Sequence, residues 1–193
     1  MKHLAKAERF EEAAKVRNRI GALTHINDVS LLKHDFIDDP TGQGGVRIEA
    51  YDVAHMQGRN MLGVMTVIEG DMPNTAEYRQ FNIRSTTTSN DPLALGEVLI
   101  RRFKHTEWPL PQLIVMDGGP VQLAVAQRFL EAHKISQHID VVSVVKDKRH
   151  KPKDILGDPK LIKKYGKQII LLANSEAHRF SIKLLRKKEG KMR

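Results

Sequence analysis

The chain has 193 residues, with 32 Lys and Arg against 23 Asp and Glu, a formal charge of +9. That length suits one domain with a short appendage, and the lack of any cysteine excludes disulfides, thiolate metal centres and thiol catalysis. No apolar run approaches the ~18–20 residues that span a membrane, and Met1 to Phe10 lack a signal-peptide core, so a soluble cytoplasmic protein with no membrane partner is expected.

Charge is unevenly placed. Residues 1–145 carry 16 basic and 18 acidic side chains, whereas residues 146–193 carry 16 basic and 5 acidic. A polyanionic partner is expected at the final quarter, the alternative being a solvated lysine-rich tail.

In chain order, Leu4, Ala7, Phe10, Ala14 and Ile20 recur at helical spacing and predict a short amphipathic helical segment within residues 1–35. Asp38 to Gly45 has linker composition, and a second unit is read over 40–193. There the period becomes strand-like: 46–53, 61–68 and 77–83 alternate or are β-rich and are separated by turn residues, which predicts an antiparallel meander. Asp91-Pro92 opens a helix to about Lys104. Leu113 to Met116 and Ile139 to Val145 read as buried parallel strands, with a helix over 120–133 between them. Residues 146–167 form a basic, Pro/Gly-punctuated insertion, 169–172 a further strand or part of a hairpin, and 175–188 a last helix. The order implies an α/β fold, one mixed sheet flanked by helices.

Ligands of such sheets sit beyond the carboxyl ends of the parallel strands. Asp117 lies there, followed by Gly118-Gly119, and Asp52 interrupts an apolar strand, which is costly unless it is paired or binds a cation. Asp91 has the position of a helix cap. His55 and His178 have no role that spacing alone assigns.

Four motifs in order resemble the UvrC family of ABC excinuclease components. Glu49 to Gly58 (EAYDVAHMQG) is similar to its E-x-F/Y-D-I/V-S/A-H-x-x-G pattern, and Glu77 to Ile83 (EYRQFNI) to its E-Y-R-x-F/Y-x-I strand. Met116 to Leu123 (MDGGPVQL) resembles its D-G-G-x-x-Q-L turn, and Glu176 to Phe180 (EAHRF) its E-A/S-H-R-F motif, followed by Arg186-Lys187-Lys188. Ala7 to Ile20 resembles the UVR motif through which UvrC proteins contact the excinuclease component UvrB.

The resemblance implies an RNase H-like endonuclease domain that makes the 5′ incision beside damaged double-stranded DNA in nucleotide excision repair. It implies Asp52, Asp117 and His178 as catalytic residues and as ligands of Mg²⁺ or Mn²⁺, and Asp91 as a further catalytic aspartate. Oxygen and imidazole donors suit those ions, and the like-placed basic residues Lys146, Lys148, Arg149, Lys151, Lys153, Arg179, Lys183, Arg186 and Lys187 suit DNA phosphates. The alternatives are a non-catalytic DNA-binding or repair-scaffold module and a different RNase H-like nuclease. The family's G-I-Y and helix-hairpin-helix modules have no counterpart here, so the chain is expected to be a piece of a longer protein.

Overall fold

The computed structural model describes residues 45–55, 61–85, 90–147 and 152–189. All belong to the second of the two units into which the chain divides, Gly44–Arg193. The expected N-terminal helix and Lys148, Arg149 and Lys151 lie outside the described residues.

The alternating segments become strands β1 (Arg47–His55) and β2 (Met61–Glu69), paired antiparallel along their full length. Two short strands, β3 (Met72–Pro73) and β4 (Arg79–Asn82), also pair antiparallel with β2 and complete the meander. Helix α1 (Asp91–Phe103) leads to β5 (Leu113–Asp117), which lies parallel to β1. Helix α2 (Pro120–Ala132) returns the chain to β6 (Asp140–Lys146), parallel to β5, and β7 (Pro152–Leu156) closes the edge antiparallel to β6. Helices α3 (Pro159–Tyr165) and α4 (Lys167–Glu189) follow. The sheet order is β3-β2-β1-β5-β6-β7, with β4 also on β2. Among the described residues no helix is long and apolar enough to cross a membrane.

Both faces of the sheet are covered, which is why its central strands read as almost unbroken apolar runs. Tyr51, Met65, Ile114 and Met116 face α1 and α2, while Ile48, Ala50, Leu62, Val64, Leu113, Val115, Val142 and Val144 face α4. Gly63 lets α1 come close: a Cβ there would lie 2.3 Å from Val98 Cγ2.

Beneath α1, Glu49 and Arg102 are fully buried. The Glu49 carboxylate accepts bonds from Arg102 Nε at 2.9 Å and Nη2 at 2.8 Å, from the Tyr51 hydroxyl at 2.6 Å and from Arg47 Nη2 at 3.2 Å. Arg47 also reaches Glu69 at 3.0 Å and Glu77 at 2.7 Å. A buried carboxylate is tolerated only when paired and hydrogen-bonded in this way.

The described part of the basic insertion carries β7 and α3. Residues 169–172 form neither strand nor hairpin; they belong to α4, which starts at Lys167 rather than near Ser175. A continuous apolar run carries no period that separates a buried strand from a buried helix. Here Ile169, Ile170, Leu172 and Ala173 pack on the sheet, and Gly166, at φ 85°, turns the chain directly from α3 into α4.

Candidate active site

Three neighbouring strands carry apolar rows toward α4, and each row reaches a charged residue toward its carboxyl end. The rows are Ile48, Ala50, Asp52 on β1; Leu113, Val115, Asp117 on β5; and Val142, Val144, Lys146 on β6. Because Tyr51 is in register with Met116, the next step brings Asp52 beside Asp117. Ala173 and Ala177 seat α4 on the apolar part of this face, which places His178 over the charged ends. His178 Nδ1 lies 3.6 Å from Asp52 Oδ2 and 3.9 Å from Asp117 Oδ2. One donor atom from each of the three residues lies within 4.8 Å of the others.

Local chemistry fixes each member. The Gly118 N–H donates to the Val144 carbonyl at 3.1 Å, and Ser143 Oγ donates to the Gly118 carbonyl at 2.8 Å, so β6 holds the turn that ends β5. Gly118 has φ 146°, and a Cβ on it would lie 2.6 Å from Gln122 Cδ. Gln122 in turn accepts the Gly119 N–H at 2.9 Å at the start of α2. These contacts give the D-G-G-x-x-Q pattern its physical content.

On α4, the half of the E-A-H-R-F motif that flanks His178 is clamped. Buried Glu176 accepts the Tyr78 hydroxyl at 2.9 Å and Arg179 Nη2 at 2.6 Å, and the Tyr78 ring meets Phe180 edge-on at 5.1 Å. Burial and the Glu176 charge both push the Tyr78 hydroxyl pKa up, so it stays a donor. The clamp fixes the rotation of α4 and hence the direction of His178.

The Asp52 and Asp117 side chains are only 12% and 10% exposed. Burial pushes the Asp117 carboxyl above the ordinary range, and the neighbouring Asp52 charge pushes the same way, while Lys146 and His178 pull it back in part. Lys146 Nζ donates to Asp117 Oδ2. The group opens into a cleft of about 530 Å³, walled by Leu95, Gln122, Ile182 and Leu185 among others. Such donors, two hard carboxylates and one imidazole, fit a divalent ion of the Mg²⁺ or Mn²⁺ kind.

Asp91 lines the same cleft but stands outside the trio, with Oδ1 2.7 Å from His55 Nε2. It is the first residue of α1 and not its cap: Asn90 Oδ1 accepts the Leu93 N–H at 3.2 Å. Of the basic residues, Lys146 turns inward to Asp117, and Arg179 is engaged by Glu176. Lys183, Arg186 and Lys187 are exposed on α4, and helical spacing puts Arg179, Lys183 and Arg186 in one stripe beside the His178 face. Lys153, exposed on β7, borders a different groove with Ile162 and Leu171. The Lys146–Asp117 pair and the Tyr78–Glu176 clamp escape sequence reasoning. The clamp's one signal there is that both partners fall within the quoted motifs.

A mixed sheet of this order, with paired carboxylates at the carboxyl ends of adjacent central strands, defines an RNase H-like α/β domain. The family model described as the UvrC RNAse H endonuclease domain matches residues 43–187, and that of the UvrB/uvrC motif matches residues 1–25. The chain belongs to the family of the UvrC RNase H endonuclease domain. The UvrABC system protein C of Chlamydia trachomatis serovar D is 37% identical over 156 residues, covering 75% of this chain and 26% of that protein. That of Clostridium botulinum strain Hall is 32% identical over 168 residues, covering 76% and 27%. The chain thus spans about a quarter of the length of these relatives. Among solved structures, human endonuclease V shares 19% identity over 65% of this chain and 55% of its own, with a TM-score of 0.38. Endonuclease V of Ciona intestinalis, in complex with an inosine-containing DNA, shares 11% over 77% and 66%, with a TM-score of 0.40.

Proposed function

We propose that residues 40–193 act as a divalent-metal-dependent endodeoxyribonuclease that makes the 5′ incision near a lesion in cytoplasmic nucleotide excision repair. Residues 1–35 form the contact to UvrB. The observation that carries this reading is the convergence of Asp52, Asp117 and His178 within 4.8 Å at the mouth of a cleft, in a chain of the UvrC endonuclease family.

Asp52, Asp117 and His178 would hold Mg²⁺ or Mn²⁺, which when bound supplies charge neutralisation at the phosphate and acidifies a water. The strand ends fix the carboxylates without loop rearrangement, so the chain's own geometry is preorganised. His178 is 41% exposed, and Nδ1, the ring nitrogen that faces both carboxylates, would be its donor to the ion. Lys183, Arg186 and Lys187, with Arg179 beside them, neutralise backbone phosphates and position the strand without reading its sequence. Asp91, oriented by His55, lies at the cleft wall and orients groups entering it.

A lesion-containing duplex already nicked 3′ to the damage tests the reading, with Mn²⁺ and UvrB present. The chain should cut on the 5′ side, and Asp52→Asn should lower the rate by at least about a hundredfold with DNA affinity within about twofold, because phosphate contacts carry that affinity. Undiminished incision by Asp52→Asn removes the carboxylate from the reaction.

A further inference from the structure

Lys146 is placed unlike a DNA-backbone contact. Its side chain is only 16% exposed, and its ammonium sits on Asp117 Oδ2, the same oxygen that His178 Nδ1 approaches at 3.9 Å. The strand itself delivers it there: Lys146 follows Val142 and Val144 on the α4 face of β6. Its register with β7 slips at Val145/Lys146, so that Lys146 faces Pro152, and such irregularities re-aim side chains beside active sites.

Among the described residues, the charges at the trio are these. Asp52 and Asp117 supply two negative charges, the Asp91 carboxylate is engaged by His55 at 2.7 Å, and Lys146 returns one positive charge. Two divalent ions beside the two carboxylates and the ammonium would leave a surplus of three positive charges, whereas one divalent ion leaves a surplus of one, which a substrate phosphate offsets.

We propose that the Lys146 ammonium occupies the place that a second divalent cation would take on Asp117. The site then binds one divalent ion, and Lys146 supplies the remaining positive charge to the substrate phosphate. This rests on the metal-dependent nuclease reading above. It differs from a backbone-binding role in that it ties Lys146 to metal affinity with no DNA present.

Mn²⁺ titration of the DNA-free chain, followed by electron paramagnetic resonance and calorimetry, tests it. The unmodified chain should bind one Mn²⁺. Lys146→Met, which keeps the aliphatic stem and loses the charge, should bind its first Mn²⁺ about tenfold tighter and take up a second at higher concentration. Its incision at low Mn²⁺ should fall by about a hundredfold and recover in part as the second ion binds. Lys146→Arg should keep one ion and part of the rate, and it carries the comparison with Lys146→Gln should Lys146→Met fail to fold in a thermal melt. Equal Mn²⁺ affinity and stoichiometry in the charged and uncharged variants overturns the proposal, as does binding of two ions by the unmodified chain. A chain that binds no Mn²⁺ and cuts nothing overturns the nuclease reading instead.

Discussion

Asp52 and Asp117 stand side by side on adjacent parallel strands, one step beyond the Tyr51–Met116 pair, with both carboxylates turned to the same helix. Folding therefore brings two like charges into a poorly solvated corner. Lys146 and the nearby His178 ring offset that arrangement without cancelling it, which is why Asp117 holds its proton to higher pH than an ordinary carboxyl.

The stability consequence has a definite sign. A carboxyl whose folded pKa lies above its unfolded value binds protons more tightly when folded, so stability falls as pH rises through that window. Below the unfolded value of about 3.9 both states are protonated and the penalty vanishes. Asp117→Asn removes the titration while its amide oxygen can still accept from Lys146. In metal-free buffer, the Tm of Asp117→Asn relative to the parent should be more favourable at pH 7 than at pH 3.5. Thermal melts at the two pH values check this, and a difference that is constant or reversed contradicts the raised pKa.

The stripe on α4 makes a second measurable claim. Lys183 and Arg186 are exposed and lie beside the face that carries His178. If each neutralises one phosphate, the plot of log binding constant against log salt loses about 0.9 of slope per residue removed. The double variant Lys183→Ala/Arg186→Ala should therefore flatten the slope by about 2 while leaving Mn²⁺ affinity unchanged. A filter-binding or anisotropy series across salt concentrations measures it. An unchanged slope would place the duplex elsewhere on the surface.

Different parts of this molecule are legible in its sequence for different physical reasons. Asp52 and Asp117 can be found because the one interrupts and the other ends an apolar row, and period-2 alternation tells which face they share. The extent of α4 cannot be read the same way: Ile169 to Leu172 are all apolar, and only the sheet they rest on makes them helical. Lys146 is visible as a charge but not as a partner of Asp117, because that contact depends on β5 and β6 being neighbours. Asp91 looks like a cap in the sequence because Asn90, one residue earlier, offers the same chemistry; the difference lies in which side chain faces the Leu93 N–H.

Glu49 lies three residues before Asp52 in the same motif, yet it points to the opposite face of the sheet. It is wholly buried against Arg102, which is also wholly buried, and it accepts the Tyr51 hydroxyl. Neutralising it would strand a guanidinium in the interior, a loss of about 3–5 kcal/mol. Glu49→Gln should thus lower Tm by roughly 6–20 °C, at about 2–4 °C per kcal/mol for a unit of this size. At temperatures where the variant stays folded, its Mn²⁺ affinity should match the parent, since the carboxylate does not reach the cleft. Replacing both partners, as Glu49→Met/Arg102→Met, should recover part of the loss, because a buried ion pair is often no more stabilising than apolar side chains of similar volume, the remainder being the cost of the buried Tyr51 hydroxyl left without its acceptor. Arg47 would keep Glu69 and Glu77 as partners in that double variant. A double variant as unstable as Glu49→Gln would mean that the cost arises from packing around β1 and α1 rather than from the stranded charge.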